Sequence, residues 1–93
     1  MMIRRFRHSG LRRLYSDGDR RGLKGEHVDK IARVLARLDV AKSPEDLDLP
    51  GFRPHLLRND LAGFWSITVP ANWRVIFRFG DGDVLDVDLL DYH

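Results

Sequence analysis

The last three residues of the sequence, Asp91, Tyr92 and His93, set an acid, a phenol and an imidazole side by side. Each can take or give a proton, and an imidazole does so near neutral pH. His55, in the run Arg53-Pro54-His55-Leu56-Leu57-Arg58, is a second imidazole with a cation three residues on. Arg74, in Asn72-Trp73-Arg74, adds a guanidinium whose fork of donors matches phosphate or carboxylate oxygens. Acid–base groups and anion holders are thus both present. Taken singly, each has a plainer reading: a frayed chain end for residues 91–93, and an exposed strand histidine for His55.

The stretch that must position these groups is Gly63 to Phe79. Trp65, Ile67 and Val69 alternate with Phe64, Ser66 and Thr68, Pro70-Ala71-Asn72 supplies turn chemistry, and Trp73, Val75, Phe77 and Phe79 resume the period of two. This predicts a hairpin that buries its aromatics on one side and aims Arg74 and Arg78 the other way, a rigid platform for an anion. Gly80-Asp81-Gly82-Asp83 is a further turn, and Val84 to Leu90 the last strand. A three-residue turn with Gly80 opposite Val84 sets Phe77 against Val87, Val75 against Leu89 and Arg78 against Asp86. A two-residue turn would instead bury Asp86 and Asp88 against Phe77 and Val75, so the first register is expected. Arg78 then has a cross-strand ion pair. Arg74 faces Leu90 rather than an acid, which makes it the better anion ligand.

Upstream, Met2 to Arg7 reads as an edge strand, and Ser9 as the N-cap of a short helix through Tyr15. Residues 17–25 read as loop. Glu26 to Ala41 is the clearest helix, with Val28, Ile31, Leu35 and Leu38 as one apolar stripe, Ala32 beside it, and Lys30, Arg33 and Arg37 on the flanks. Ser43-Pro44 opens a single turn. Phe52 to Arg58 is expected as a strand that carries His55 and Arg58 toward the hairpin. The order β-α-α-β-β-β-β lacks βαβ alternation and predicts an α+β fold, with helices on one face of a mainly antiparallel sheet.

Composition narrows the function classes. Ninety-three residues suit one domain, 1–93, and 43% apolar content suits a folded one. The chain has no cysteine, no apolar run near the roughly 20 residues a bilayer span needs, and no apolar stretch behind its basic N-terminus. A soluble, cytoplasmic protein without membrane association is expected. His8, His27, His55 and His93 lack the spacing of a zinc site, and there is neither a phosphate-cradling glycine loop nor a nucleophile elbow. No metal or cofactor is therefore expected. The net charge of +2 conceals an asymmetry: residues 1–25 carry eight basic groups against two acids, whereas residues 59–93 carry two against six. A basic N-terminal third suits a polyanion partner, with a solvated charged surface as the plainer alternative.

Over its whole length the sequence resembles the HigB toxins of bacterial type II toxin–antitoxin modules, within the RelE/ParE superfamily. The resemblance begins at Ile3-Arg4-Arg5-Phe6-Arg7-His8 with Gly10, Leu11 and Leu14, and passes through Leu38-Asp39. It is densest in His55-Leu56-Leu57-Arg58, Asp60, Gly63 to Val69 and Ala71-Asn72-Trp73-Arg74-Val75, and ends in Asp91-Tyr92-His93. It implies a RelE-like fold and a metal-independent endoribonuclease that cuts mRNA in the ribosomal A site through attack of the ribose 2′-OH on the adjacent phosphate. His55, Asp91, Tyr92 and His93 take the family's active-site positions, and Arg58 and Arg74 its phosphate-binding ones. Implied partners are a helix-turn-helix, HigA-like antitoxin, the ribosome with its rRNA, and mRNA, with operator DNA reached only through the antitoxin. One departure is Pro54 before His55, where relatives can carry proline after the histidine. Two other readings stand beside this one: a ParE-like toxin that inhibits its target by binding alone, and an inactive domain that only binds antitoxin. The acid–base set argues against both.

Overall fold

Period-two alternation in the second half of the chain produces a four-stranded antiparallel sheet. Its strands are β1 (His55–Leu56), β2 (Phe64–Thr68), β3 (Trp73–Gly80) and β4 (Asp83–Asp91), lying in the order β1-β2-β3-β4. The structure is a computed structural model and describes residues 2–69 and 72–91. Helices α1 (Ser9–Asp17) and α2 (Gly25–Val40) cover one face of the sheet. Leu11, Ile31, Val34, Leu35 and Leu38 pack there against Ile67, Val69, Val75, Phe77, Val84 and Val87. The expected α+β arrangement is present. No helix among the described residues is long and apolar enough to cross a membrane.

The helices differ in detail from the sequence reading. His8, not Ser9, is the N-cap of α1: its Nδ1 accepts from the Leu11 N–H at 3.2 Å, and Ser9 is already helical. An imidazole acceptor does here what a hydroxyl usually does. Gly18, at φ 68°, ends α1, with its N–H bonded to the Leu14 carbonyl. On α2 the buried stripe includes Val34 and leaves Ala32 exposed. Val34, three residues after Ile31 and four before Leu38, is the better fit to the helical period.

Met2 to Arg7 does not form a continuous strand. It runs parallel to the outer edge of β4 through two bridges, Ile3 with Val84 and Phe6 with Val87, held by four backbone hydrogen bonds of 2.8–3.0 Å. A carboxylate of α2 fastens this segment from the other side. Asp39 Oδ1 accepts from the Tyr15 hydroxyl at 2.7 Å and from the Ile3 N–H at 3.4 Å. The expected strand from Phe52 to Arg58 shrinks to two residues, because Arg53 is left-handed at φ 43° and Pro54 offers no N–H to a ladder.

The β3–β4 register combines both of the alternatives weighed above. The turn has two central residues, Asp81 (φ 53°) and Gly82 (φ 80°), with Gly80 paired to Asp83. Two successive left-handed residues match the twist of the strands they join, which favours this turn over the expected three-residue one. The missing residue returns lower down: Asp86, at φ 53°, forms a bulge between the pairs Arg78–Leu85 and Ile76–Asp88. Beyond it Val75 opposes Leu89 and Arg74 opposes Leu90, as expected.

Gly10 makes the closest backbone approach in the helical layer. A Cβ there would lie 2.8 Å from the Gly22 carbonyl oxygen and 2.8 Å from His8 Cε1. Gly25, at the first position of α2, faces open space. Gly10→Ala is therefore expected to cost about 1–3 kcal/mol despite alanine's better helix propensity. Gly25→Ala is expected to be neutral or stabilising by up to about 1 kcal/mol. Urea denaturation of the two variants checks the contrast.

Candidate active site

Directly opposed residues of a sheet share a face. The pairs His55–Ser66, Ser66–Ile76 and Ile76–Asp88 therefore form one row across all four strands, on the face away from the helices. Arg74 stands two residues along β3 from Ile76, on that same face. Its Nη1 donates to Ser66 Oγ at 3.4 Å. Ser66 is fully buried and His55 exposed. Ser66 thus links the two by different means: His55 is its register partner on β1, and the Arg74 guanidinium donates to its hydroxyl from β3.

The remaining candidates are placed differently. Arg58 is exposed at the N-cap of the short 3-10 turn Asn59–Leu61, just beyond the Leu57 N–H to Phe64 carbonyl bond that closes the β1–β2 pairing. Asp91 is the last residue of β4 and pairs with Trp73, next to the Arg74–Leu90 pair. Alternation puts Asp91 on the helix side of the strand end and Arg74 on the other. Tyr92 and His93 lie outside the described residues.

Trp73, which opposes Asp91, is held by the start of α2. Lys24 Nζ lies 5.2 Å from the centre of its indole and the His27 ring 6.1 Å away. At the β1 edge of the sheet, His55 also contributes to a cleft of about 390 Å³ whose other walls include Trp65, Arg53, Pro54 and Glu45.

Sequence reasoning missed Ser66. The signal available was a small hydroxyl in the alternating positions between Phe64 and Thr68, on the row that faces Arg74. The alternation left the second face as the mixed one, and Phe64, Ser66, Ile76 and Leu85 are all buried there. Arginine stems cover part of it: the Arg7 guanidinium lies 5.2 Å over the Phe64 ring.

The Arg78–Asp86 pair is present, with Nε donating to Oδ2 at 2.7 Å. Asp86 also receives Arg5 (Nε to Oδ1, 3.4 Å) and Arg7 (Nε to Oδ1, 4.0 Å). The Arg78 hydrogen bond, aided by the field of the three arginines, holds the Asp86 carboxyl below the usual carboxylate range, against the opposing effect of its burial.

Two helices on one side of a four-stranded antiparallel sheet, with basic and titratable side chains on the other, form an α+β arrangement consistent with the RelE-like fold. The chain belongs to the HigB-like toxins: residues 4–93 match the family described as RelE-like toxin of type II toxin-antitoxin system HigB. It is similar to "Endoribonuclease HigB" of Proteus vulgaris, 39% identical over 92 residues that cover 99% of this chain and 100% of that protein. It is also similar to "Toxin HigB-1" of Vibrio cholerae serotype O1, 34% identical over 94 residues covering 99% of this chain and 98% of the other. Membership of a toxin–antitoxin family implies an antitoxin partner.

The Asp86 cluster generates a pH prediction. A carboxyl whose folded pKa is depressed stabilises the fold above its unfolded value, about 3.9, and that contribution is lost as pH falls through the folded value. Asp86→Asn removes the titration while keeping a side chain that tolerates positive φ. Urea denaturation between pH 7 and pH 2 is expected to show wild type more stable at neutral pH and the two proteins converging in acid.

Proposed function

We propose that the chain is the endoribonuclease of a type II toxin–antitoxin module, a single toxin domain that cuts mRNA in the ribosomal A site and so stops translation. The observation that carries this reading is the row on the sheet face left uncovered by the helices, where His55 pairs with Ser66 in register and Arg74 donates to the Ser66 hydroxyl. The similarity to a protein named an endoribonuclease supports it.

Cleavage by the ribose 2′-OH needs a base for that hydroxyl, an acid for the leaving 5′-oxygen, and cations for the charge on the pentavalent phosphate. In this reading Arg74 holds phosphate oxygens from its seat beside Ser66, with Arg58 as a second cation at the edge. His55, Asp91 and His93 carry the proton transfers, and Tyr92 packs on an unstacked base. Side chains supply every group the reaction requires, without a metal or cofactor. The basic N-terminal third faces ribosomal RNA. A helix-turn-helix antitoxin of the HigA kind neutralises the toxin and reaches operator DNA on its behalf. All of this takes place in the cytoplasm.

Purified protein added to translating ribosomes, with the mRNA ends mapped, tests the proposal. Wild type is expected to leave new ends within A-site codons. His55→Ala and a chain lacking His93 are each expected to cut about 10²–10⁴-fold more slowly. Arg74→Ala is expected to lose about 10²–10³-fold in the rate of a single turnover, as loss of a group holding transition-state charge does. Intact mRNA together with blocked DNA supercoiling would sink the reading in favour of a binding toxin. Equal cutting by wild type and all variants would defeat the site assignment alone.

A further inference from the structure

The arginines around Asp86 are more numerous than an ion pair needs. Three other acids among the described residues form simple pairs: Asp83 with Arg4 at 2.6 Å, Asp19 with Arg21 at 3.0 Å, Asp29 with Arg20 at 3.2 Å. Asp86 is instead approached by Arg5, Arg7 and Arg78, which leaves two positive charges in excess. The acid lies beneath the cations. Its side chain is 15% exposed, against 57% for Arg5 and 52% for Arg7. Arg78 holds it at 2.7 Å, whereas Arg5 reaches it by two longer contacts, Nε to Oδ1 at 3.4 Å and Nη2 to Oδ2 at 3.5 Å, and Arg7 by one at 4.0 Å. Both arginine side chains are more than half exposed, so donors not engaged by the carboxylate remain open to a ligand.

The cluster continues the candidate site. Arg78 pairs with Phe64, in the row next along from the one that pairs Ile76 with Ser66. It stands four residues from Arg74 on β3, about 13 Å away along the strand. The Arg7 guanidinium lies 5.2 Å over the centre of the Phe64 ring, its side chain is 52% exposed, and an exposed guanidinium is a surface on which a nucleobase can stack. Outward cations, an open planar surface and continuity with a phosphate-holding arginine together fit a single-stranded nucleic acid better than an acidic peptide, which has no base to stack.

We propose that Arg5, Arg7 and Arg78 form a phosphate subsite for the backbone of single-stranded RNA, with Asp86 as a resident counter-ion that competes with the phosphate. The inference deepens the endoribonuclease reading and rests on it for the identity of the ligand. Asp86 offsets the mutual repulsion of the guanidiniums and keeps them gathered in position while the site is empty. A phosphate then replaces it as the partner of Arg5 and Arg7. Binding is thereby weaker than three unopposed arginines would make it, which suits a nuclease that must release its product.

The sign of one substitution separates this from a purely structural cluster. Asp86→Asn removes the competing charge and keeps the left-handed backbone position. Binding is read by fluorescence anisotropy with a labelled 2′-O-methyl RNA of about eight nucleotides, a site size in the usual range. That oligonucleotide has no free 2′-OH, so it survives whatever the protein's activity. Asp86→Asn is expected to bind it about two- to fivefold more tightly than wild type, the scale of one half-exposed charge pair. Arg5→Ala and Arg7→Ala are expected to weaken it and to lower the slope of log affinity against log salt by about 0.7 for each phosphate no longer neutralised. Unchanged slopes, weaker binding by Asp86→Asn, or no binding by wild type would each overturn the subsite. So would effects confined to a polyglutamate peptide measured in parallel, which would assign the cluster to an acidic protein partner. Ribosomal cleavage by the same proteins keeps the two proposals apart. Cutting with unaltered RNA slopes rejects the subsite alone, and altered slopes without cutting reject the nuclease alone.

Discussion

Asp86 returns to β4 the residue that its tight turn with β3 leaves out. Without that bulge the two-residue turn would carry its parity down the whole strand. Leu89 would then leave the helix face and Asp88 would enter it, against Val75. Aromatic and aliphatic burial on one side of the sheet thus depends on a single left-handed residue. The same residue carries the carboxylate on which Arg78 closes from β3 and Arg5 and Arg7 from the N-terminal segment. Strand register, edge closure and the charge of the second face meet at one position.

The sheet works as a partition. On its helix side the core is apolar and fully packed, with Phe77, Ile67, Val75 and Val87 all shielded from solvent. On its other side the buried layer is thin, and Ser66 within it is capped by an arginine rather than by another element. A group seated on such a floor has little freedom to move, because the strands beneath it are locked by the core behind them. Arg74 and Asp91 sit at one end of this partition on opposite faces, joined through the Trp73–Asp91 pair and steadied by Lys24 and His27 at the start of α2.

Much of this was legible in the residues. The hairpin from Gly63 to Phe79, the long α2 and the Arg78–Asp86 pair follow from alternation, helical period and the cost of burying carboxylates. What was not legible depended on local competition. A three-residue turn and a two-residue turn with a bulge satisfy the same constraint at Val75 and Leu89, and only the backbone preference of Asp81-Gly82 decides between them. His8 as a cap was hidden because an imidazole is an uncommon substitute for a hydroxyl. Ser66 carried no charge and no spacing to mark it. Its importance comes from what lies across the sheet, Arg74 on one side and His55 on the other. The basic N-terminal third was visible as a charge excess, but not where Arg5 and Arg7 would point. Their shared target, Asp86, lies 81 positions along the chain from Arg5, beyond the reach of any local pattern.

The parallel bridges of Ile3 and Phe6 to β4 have a consequence for how the molecule comes into being. The first and last described segments of the chain are hydrogen-bonded side by side. Closing a loop that long costs more chain entropy than forming the local helices or the β2–β3 hairpin. Neither the outer edge of the sheet nor the arginine cluster on Asp86 exists in a growing chain that has yet to reach β4. A toxin built in this way stays incomplete through most of its own synthesis and acquires its full basic face only once β4 has been made.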